Sequence, residues 1–103
     1  MTFPVKTIRF GPYDFKVVPL APDSGLDGEF CSNSQEFRLR DKWASQQQAA
    51  STALHEIFHG WYFLAGIKKG TTEEDLVGRF EMVASNFIRD NQKLMQWIIK
   101  SLK

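Results

Sequence analysis

His55, Glu56 and His59 are the residues of this sequence whose types and spacing best fit a chemical role. On a helix, residues four apart lie one turn apart on the same face, so both imidazoles can reach one metal ion. In an H-E-x-x-H arrangement the two histidines bind zinc, while the glutamate takes a proton from the water that the metal activates. The chain contains no other histidine, so chance is a poor explanation for the pattern. An ordinary amphipathic helix with two histidines at its polar edge is the simpler alternative.

Length and composition restrict the classes of protein to which this chain can belong. We expect a single domain over residues 1–103, because this length supports one modest core and not two. The formal net charge of +1 provides no field that would attract nucleic acid or an anionic membrane. Cys31 is the only cysteine, so no intramolecular disulfide can form and a reducing, cytoplasmic location is expected. A structural role is favoured for this thiol over a nucleophilic one.

Alternating residues predict an N-terminal antiparallel sheet of three to four strands. The strands are expected in two pairs, residues 5–10 with 13–20 and residues 29–32 with 36–40. Phe37 and Leu39 alternate with charged residues, as in a strand with one wet face. Two interpretations of this last strand are open: an edge strand near the metal-binding helix, with which an extended peptide could pair, or a plain sheet strand with solvated charges.

Helical periodicity covers the second half of the chain. The first helix, residues 44–65, carries the metal motif and ends at Gly66, and Thr72 with Asp75 resembles a capping box that starts the next helix. That helix runs to about residue 88 and a short helix follows a break at residues 89–91. The second helix is expected to bury six apolar residues: Leu76, Val77, Phe80, Val83, Ala84 and Phe87. The predicted fold is therefore an α+β domain with the sheet packed on the long first helix.

The two histidines and a water leave a tetrahedral zinc ion one ligand short, and a carboxylate of the second helix is the natural candidate. Four acidic residues compete for this position: Glu73, Glu74, Asp75 and Glu81. The first helix extends about 10 Å from His59 to Gly66. If the second helix is antiparallel to it, the residue at the level of the histidines lies near Glu81. A tilted crossing would instead bring the start of the second helix to the metal. The residues alone leave both arrangements open.

The chain resembles the small zincin-like metallopeptidases of phages and prophages, distant relatives of the ImmA/IrrE and gluzincin groups. Their pattern is T-L-L-H-E-x-x-H-A on one helix and E-x-x-V-x-x-L-A followed by R-D-N on the next. Residues 52–60 match the first motif, with Gly60 in place of the alanine, and residues 89–91 match the last. The resemblance implies a zincin-like domain that binds one zinc ion through His55, His59 and a glutamate, with Glu56 as the general base.

The same resemblance bears on the third ligand. Counted back from Arg89 without a gap, the glutamate of the family pattern falls on Glu74. A wider ImmA-like pattern, E-x-x-A followed by a small polar pair and phenylalanine, matches residues 81–87 and supports Glu81. We therefore expect Glu74 as the third ligand, with Glu81 as the next candidate and Glu73 or Asp75 after them.

The function implied is zinc-dependent hydrolysis of a peptide or protein substrate, in the host-cell cytoplasm if the chain is phage-encoded. The rival hypothesis is a small interaction or regulatory protein whose zinc site is structural or catalytically idle, because a chain of this size leaves little surface for a substrate cleft. Neither nucleic acid nor a membrane is an expected partner. Candidate donors for the oxyanion of the reaction are Arg38, Tyr62, Arg79 and Asn86.

Overall fold

The N-terminal part of the chain forms the two strand pairs that its alternating residues predict. The computed structural model describes residues 3–103, in which strands β1 (Thr7–Phe10) and β2 (Tyr13–Pro19) form an antiparallel hairpin. Strands β3 (Gly28–Cys31) and β4 (Glu36–Leu39) form the second antiparallel pair. Gly11 turns the first hairpin with a φ of 58°, a left-handed value that glycine adopts without steric cost.

The order of the strands makes this sheet mixed, so the prediction of a wholly antiparallel sheet is wrong. The order is β1-β2-β4-β3, and β2 pairs with β4 in parallel. After β2, the largely exposed loop of residues 20–27 leads to β3, which does not pair with β2. Strand β4 then lies between β2 and β3 and pairs with both. Of the two interpretations of β4, the edge strand is wrong, because β4 has strands on both sides. Strand β3 is the edge strand beside the first helix.

Three helices follow the sheet, in the predicted order: α1 (Gln46–Ala65), α2 (Glu73–Asp90) and α3 (Gln92–Leu102). Ser45 caps the start of α1, where its hydroxyl accepts a hydrogen bond from the Gln48 N–H at 3.1 Å. Gly66 ends α1 in the left-handed conformation, with a φ of 61°. Thr72 caps α2 by accepting a hydrogen bond from the Asp75 N–H at 3.2 Å, which confirms the predicted start of that helix.

The core is organised around the ring of Phe10, which is fully buried. The rings of Phe15, Phe30 and Phe87 surround it, with centroids 5.0, 5.1 and 5.2 Å away. Helix α1 packs against this ring through Gly60, whose missing side chain leaves the space that the ring occupies. The position of α1 over the sheet therefore depends on a small residue one position after His59.

Helix α2 buries less of its apolar surface than the sequence predicts. Phe87 is its only buried residue, and Val77 is 55% exposed, so the prediction that Val77 is buried is wrong. The other predicted core residues of this helix are half-buried: Leu76, Phe80, Val83 and Ala84. The helix contacts α1, α3 and β1 along one stripe, and within residues 3–103 no element covers its other side.

Asn91, between α2 and α3, ties the helices to the outer edge of β1. Its Oδ1 accepts a hydrogen bond from the Arg9 N–H at 2.9 Å, and its Nδ2 donates to the carbonyl oxygens of Arg9 and Phe87 at 2.8 and 2.9 Å. Asn91 is 9% exposed, so water cannot easily replace these bonds. The amide thus takes the place of a neighbouring strand at this edge of the sheet.

We expect Asn91→Ala to lower the free energy of unfolding by about 2 to 4 kcal/mol, because each buried polar group left without a partner costs about 1–3 kcal/mol. Urea unfolding followed by circular dichroism measures this change. The matched control is Asn86→Ala, since Asn86 is exposed in the last turns of α2, near Asn91 in sequence. Equal effects of the two substitutions would contradict the structural role of the Asn91 amide.

Candidate metal centre

The middle of α1 brings His55, Glu56 and His59 together. One ligand atom from each residue lies within 4.8 Å of the other two. The imidazole centroids are 4.9 Å apart, and both histidines are exposed, so both can turn toward one ion. Glu56 is only 8% exposed, and its Oε2 lies 3.9 Å from His55 Nε2. Two imidazoles one helical turn apart are donors that suit zinc, and the carboxylate beside them can accept a proton, so these side chains fit the ion that the motif implies.

Strand β3 covers the Glu56 side of this site. A Cβ atom at Gly28 would lie 3.0 Å from Glu56 Cγ and 3.2 Å from Thr52 Cγ2, closer than ordinary van der Waals contact. The absence of a side chain at Gly28 therefore lets the strand pass close over α1. Sequence analysis missed Gly28, although a glycine at the start of an apolar strand is a signal of close backbone approach. A cleft of about 300 Å³ lies here, lined by Asp27, Gly28, Ser51, Thr52, His55 and Glu56.

The outer edge of β3 has no strand partner among residues 3–103. The Arg40 N–H donates a hydrogen bond to the Asp27 carbonyl at 3.1 Å, so this carbonyl points toward β4. Because hydrogen-bonding groups alternate along an antiparallel strand, those of Gly28 and Phe30 point away from β4. The strand therefore presents unpaired amide and carbonyl groups beside Glu56.

The candidate third ligands on α2 do not join the three residues of α1. Helices α1 and α2 are antiparallel, because Arg79 Nη1 donates to the Ala65 carbonyl at 3.0 Å while the Phe87 ring lies 5.6 Å from that of Trp61. Glu74 precedes Arg79 by five residues, which places it about 7.5 Å further along α2, in the direction away from His59. Its predicted role as a ligand gains no support from this register.

Glu81 lies on the nearer side of Arg79, two residues closer along α2 to the level of the histidines. Its carboxylate is exposed, like those of Glu73, Glu74 and Asp75. Within residues 3–103, none of these four acids belongs to the group of donor atoms that contains the histidines. The identity of the third ligand stays a prediction.

Two of the four candidate oxyanion donors are engaged elsewhere. Arg38 forms ion pairs with Glu29 at 2.8 Å and with Glu36 at 2.6 Å on the outer face of the sheet. Arg79 donates to the end of α1, and Asn86 is exposed on α2. Tyr62 is the only one of the four on α1, three residues after His59 and therefore on a neighbouring part of the helix surface.

Cys31 lies in β3 but outside the group of metal-binding atoms. Burial, followed by the hydrogen bond to Glu29, raises the pKa of the Cys31 thiol. A raised pKa leaves less thiolate at neutral pH, so the thiol is a poor nucleophile. This agrees with the structural role that the sequence favours for it.

No protein-family model matches the chain, and comparison with curated proteins and with solved structures finds no similar protein. Within residues 3–103, none of the helices combines the length and the apolar character needed to cross a bilayer.

Proposed function

We propose that this chain is a zinc-dependent peptidase of the phage zincin-like type, in which His55 and His59 bind the metal and Glu56 is the general base. The observation that carries the proposal is the group of three donor residues on one helix, within 4.8 Å of one another, with Glu56 buried beneath an unpaired strand edge. Zinc, when bound, supplies a Lewis acid that lowers the pKa of water and polarises a carbonyl group. The third ligand is proposed to be Glu74 or Glu81.

Glu56 is the residue proposed to move the proton in this reaction. Its carboxylate lines the cleft, and within residues 3–103 the only basic side chain that lies within 4.0 Å of it is His55. It takes a proton from the attacking water and then delivers this proton to the amine that leaves. Gly28 helps by leaving room for the Glu56 side chain between strand and helix.

The unpaired edge of β3 favours a polypeptide as the substrate. The outward amide and carbonyl groups of Gly28 and Phe30 can form a ladder with an extended chain, which would lie beside Glu56. A small amide could bond to only one pair of these groups. The proposed substrate is therefore a segment of peptide or protein in extended conformation.

A zinc-binding interaction or regulatory protein without catalytic activity is the second candidate function. The observation that favours it is the lack of an α2 carboxylate in the donor group of residues 3–103. A site with only two protein ligands binds zinc weakly, and a partner protein could complete it. This candidate predicts zinc binding without cleavage of any peptide.

We expect one equivalent of zinc to bind the wild-type chain and to stabilise it. At a zinc concentration about 100 times the dissociation constant, binding adds about 2.7 kcal/mol, which raises the Tm of a domain of this size by roughly 10 to 20 °C. His55→Ala should lose both the bound zinc and the rise in Tm, as measured by elemental analysis and thermal unfolding. Gln47→Ala, an exposed substitution on the same helix, should keep both.

Cleavage is tested on the same samples with a mixed peptide library, in which mass spectrometry detects new termini. Zinc-dependent cleavage by the wild type and none by His55→Ala is the expected result. Zinc binding without cleavage would favour the interaction or regulatory protein. One equivalent of zinc bound by His55→Ala would contradict the metal site itself.

A further inference from the structure

Three aromatic side chains from three different elements form an exposed surface next to the candidate metal centre. Phe63 on α1 and Tyr13 on β2 are 45% and 42% exposed, and Phe30 on β3 is half-buried between them and the core. The centroid of the Phe63 ring lies 5.8 Å from that of Phe30 and 6.5 Å from that of Tyr13. We name these three residues the aromatic ledge.

The inner residue of the ledge, Phe30, is fixed by its contacts with the core. The Phe30 ring stacks on Phe15 with centroids 4.8 Å apart and lies 5.1 Å from the ring of Phe10, and both of these partners are buried. Its conformation is therefore determined by the core. Phe63 and Tyr13 extend the ledge outward from this base into solvent, where they bury little of their own apolar surface.

The ledge lies along the groove between β3 and α1, on the side of His59. Phe63 follows His59 by four residues, which is one turn or about 6 Å along the same face of the helix. The strand and the helix run in the same direction here, because Gly28 contacts Glu56 while Phe30 contacts Phe63. The polar cleft around Glu56 and the aromatic ledge are thus neighbouring parts of one groove.

We infer that the aromatic ledge binds an aromatic or large aliphatic side chain of a polypeptide that pairs with the outer edge of β3. This inference rests on the proposed function and names the substrate class of that site. The free amide and carbonyl groups of Phe30 face away from β4, whereas its ring leans inward toward Phe15 of β2. A side chain of the paired strand on the helix side therefore reaches the ledge across the β3 backbone. Successive side chains of a paired strand alternate between its faces, which brings every second residue toward the helix.

The chemistry of the ledge selects this occupant. Its three rings offer apolar faces and edges that pair favourably with another aromatic ring, and the Tyr13 hydroxyl is its only polar side-chain group. An exposed patch of large apolar side chains is a common mark of a binding surface. Charged or small side chains would leave the rings in contact with water.

The test uses Glu56→Gln, which should bind peptides without cleaving them, together with zinc and dye-labelled decapeptides of Ala, Ser and Lys in which one Phe is moved along the sequence. Fluorescence anisotropy gives the affinities. We expect at least one Phe position to bind about 10-fold tighter than the same peptide with Ala, the gain typical of burying one large apolar side chain. Adding Phe63→Ala should remove this preference.

The matched control is Phe58→Ala in the same background, since Phe58 is 52% exposed on α1 and does not contact the ledge residues. It should keep the Phe preference. Tyr13→Ala is a second ledge variant in case Phe63→Ala unfolds, and it should weaken the preference without changing the amount of zinc bound.

The outcomes separate this inference from the proposed peptidase. If the wild type cleaves peptides but Phe binds no better than Ala at any position, the inferred binding role of the aromatic ledge is wrong and the proposed peptidase activity is supported. If neither the wild type nor any variant cleaves a peptide, but the Phe preference is present and Phe63→Ala removes it, the binding role of the ledge is supported and the proposed peptidase activity is wrong. A wild-type dimer that Phe63→Ala dissociates, without Phe-dependent binding, would assign the ledge to a second copy and overturn the inference.

Discussion

Glu56→Gln is expected to leave zinc bound and to reduce kcat/KM for peptide cleavage by about 10²- to 10⁴-fold, the range found for a general acid–base residue. Glutamine has the same shape, so it fits between α1 and Gly28, but its amide cannot take a proton at neutral pH. The two histidines that bind the metal are untouched by this change. Steady-state kinetics on a peptide cleaved by the wild type measures the loss, and elemental analysis measures the zinc.

Glu36→Gln is the matched control, because Glu36 is a partly buried glutamate that pairs with Arg38 on the sheet. It should keep both zinc and cleavage. Cleavage by Glu56→Gln at the wild-type rate would contradict the role of Glu56 as the base. Loss of zinc from Glu56→Gln would instead make Glu56 a ligand, which the proposed mechanism excludes.

Gly60→Ala is expected to destabilise the fold by up to about 2 kcal/mol, although alanine is the better helix former. A Cβ atom at Gly60 would overlap two carbon atoms of the Phe10 ring. Phe10 cannot move aside, because buried rings surround it on the sheet side. Overpacking a core typically costs about 1–3 kcal/mol, against a gain of about 1 kcal/mol from replacing a helical glycine.

Gly78→Ala provides the control for this prediction. Gly78 lies inside α2, and an added Cβ would have no atom within 4 Å. It should stabilise the protein by roughly 0.5–1 kcal/mol, the usual difference between glycine and alanine in a helix. Guanidinium unfolding curves of the two variants should therefore shift in opposite directions. A gain in stability for both would mean that Phe10 does not press on α1.

The contact between Gly60 and Phe10 also explains a departure from the resembled pattern. The phage-type motif has alanine after the second histidine, whereas this chain has glycine. Alanine at this position is incompatible with the Phe10 ring as it lies here. Glycine at this position therefore suits the packing of α1 on the Phe10 ring, and the spacing of His55 and His59 does not depend on it.

The elements that sequence analysis located correctly are those that depend on neighbouring residues. Ser45, Thr72 and Gly66 set the ends of helices through bonds and backbone angles within a few residues. The hairpin turn at Gly11 is local in the same sense. The geometry of His55, Glu56 and His59 belongs to this class too, since a spacing of four on a helix places the side chains together whatever surrounds them.

The features that sequence analysis placed wrongly or missed depend on surfaces that meet across the chain. The parallel pairing of β2 with β4, and therefore the identity of the edge strand, follows from how the two hairpins dock after the loop of residues 20–27. Neither hairpin carries a pattern that distinguishes this pairing from its alternatives. The burial of α2 is another such feature, because only packing decides which part of an apolar stripe is covered.

The H-E-x-x-H sequence by itself determined that two imidazoles lie on one helical face with a carboxylate next to that face, because helix geometry requires it. Only the tertiary structure decided what surrounds them: Gly28 over Glu56, an unpaired β3 edge, the aromatic ledge, and a register of α2 that carries Glu74 away from the histidines. These features arise from contacts between residues tens of positions apart, for which the sequence contains no local signal. The spacing supplied the donor set, and packing supplied the groove in which it lies.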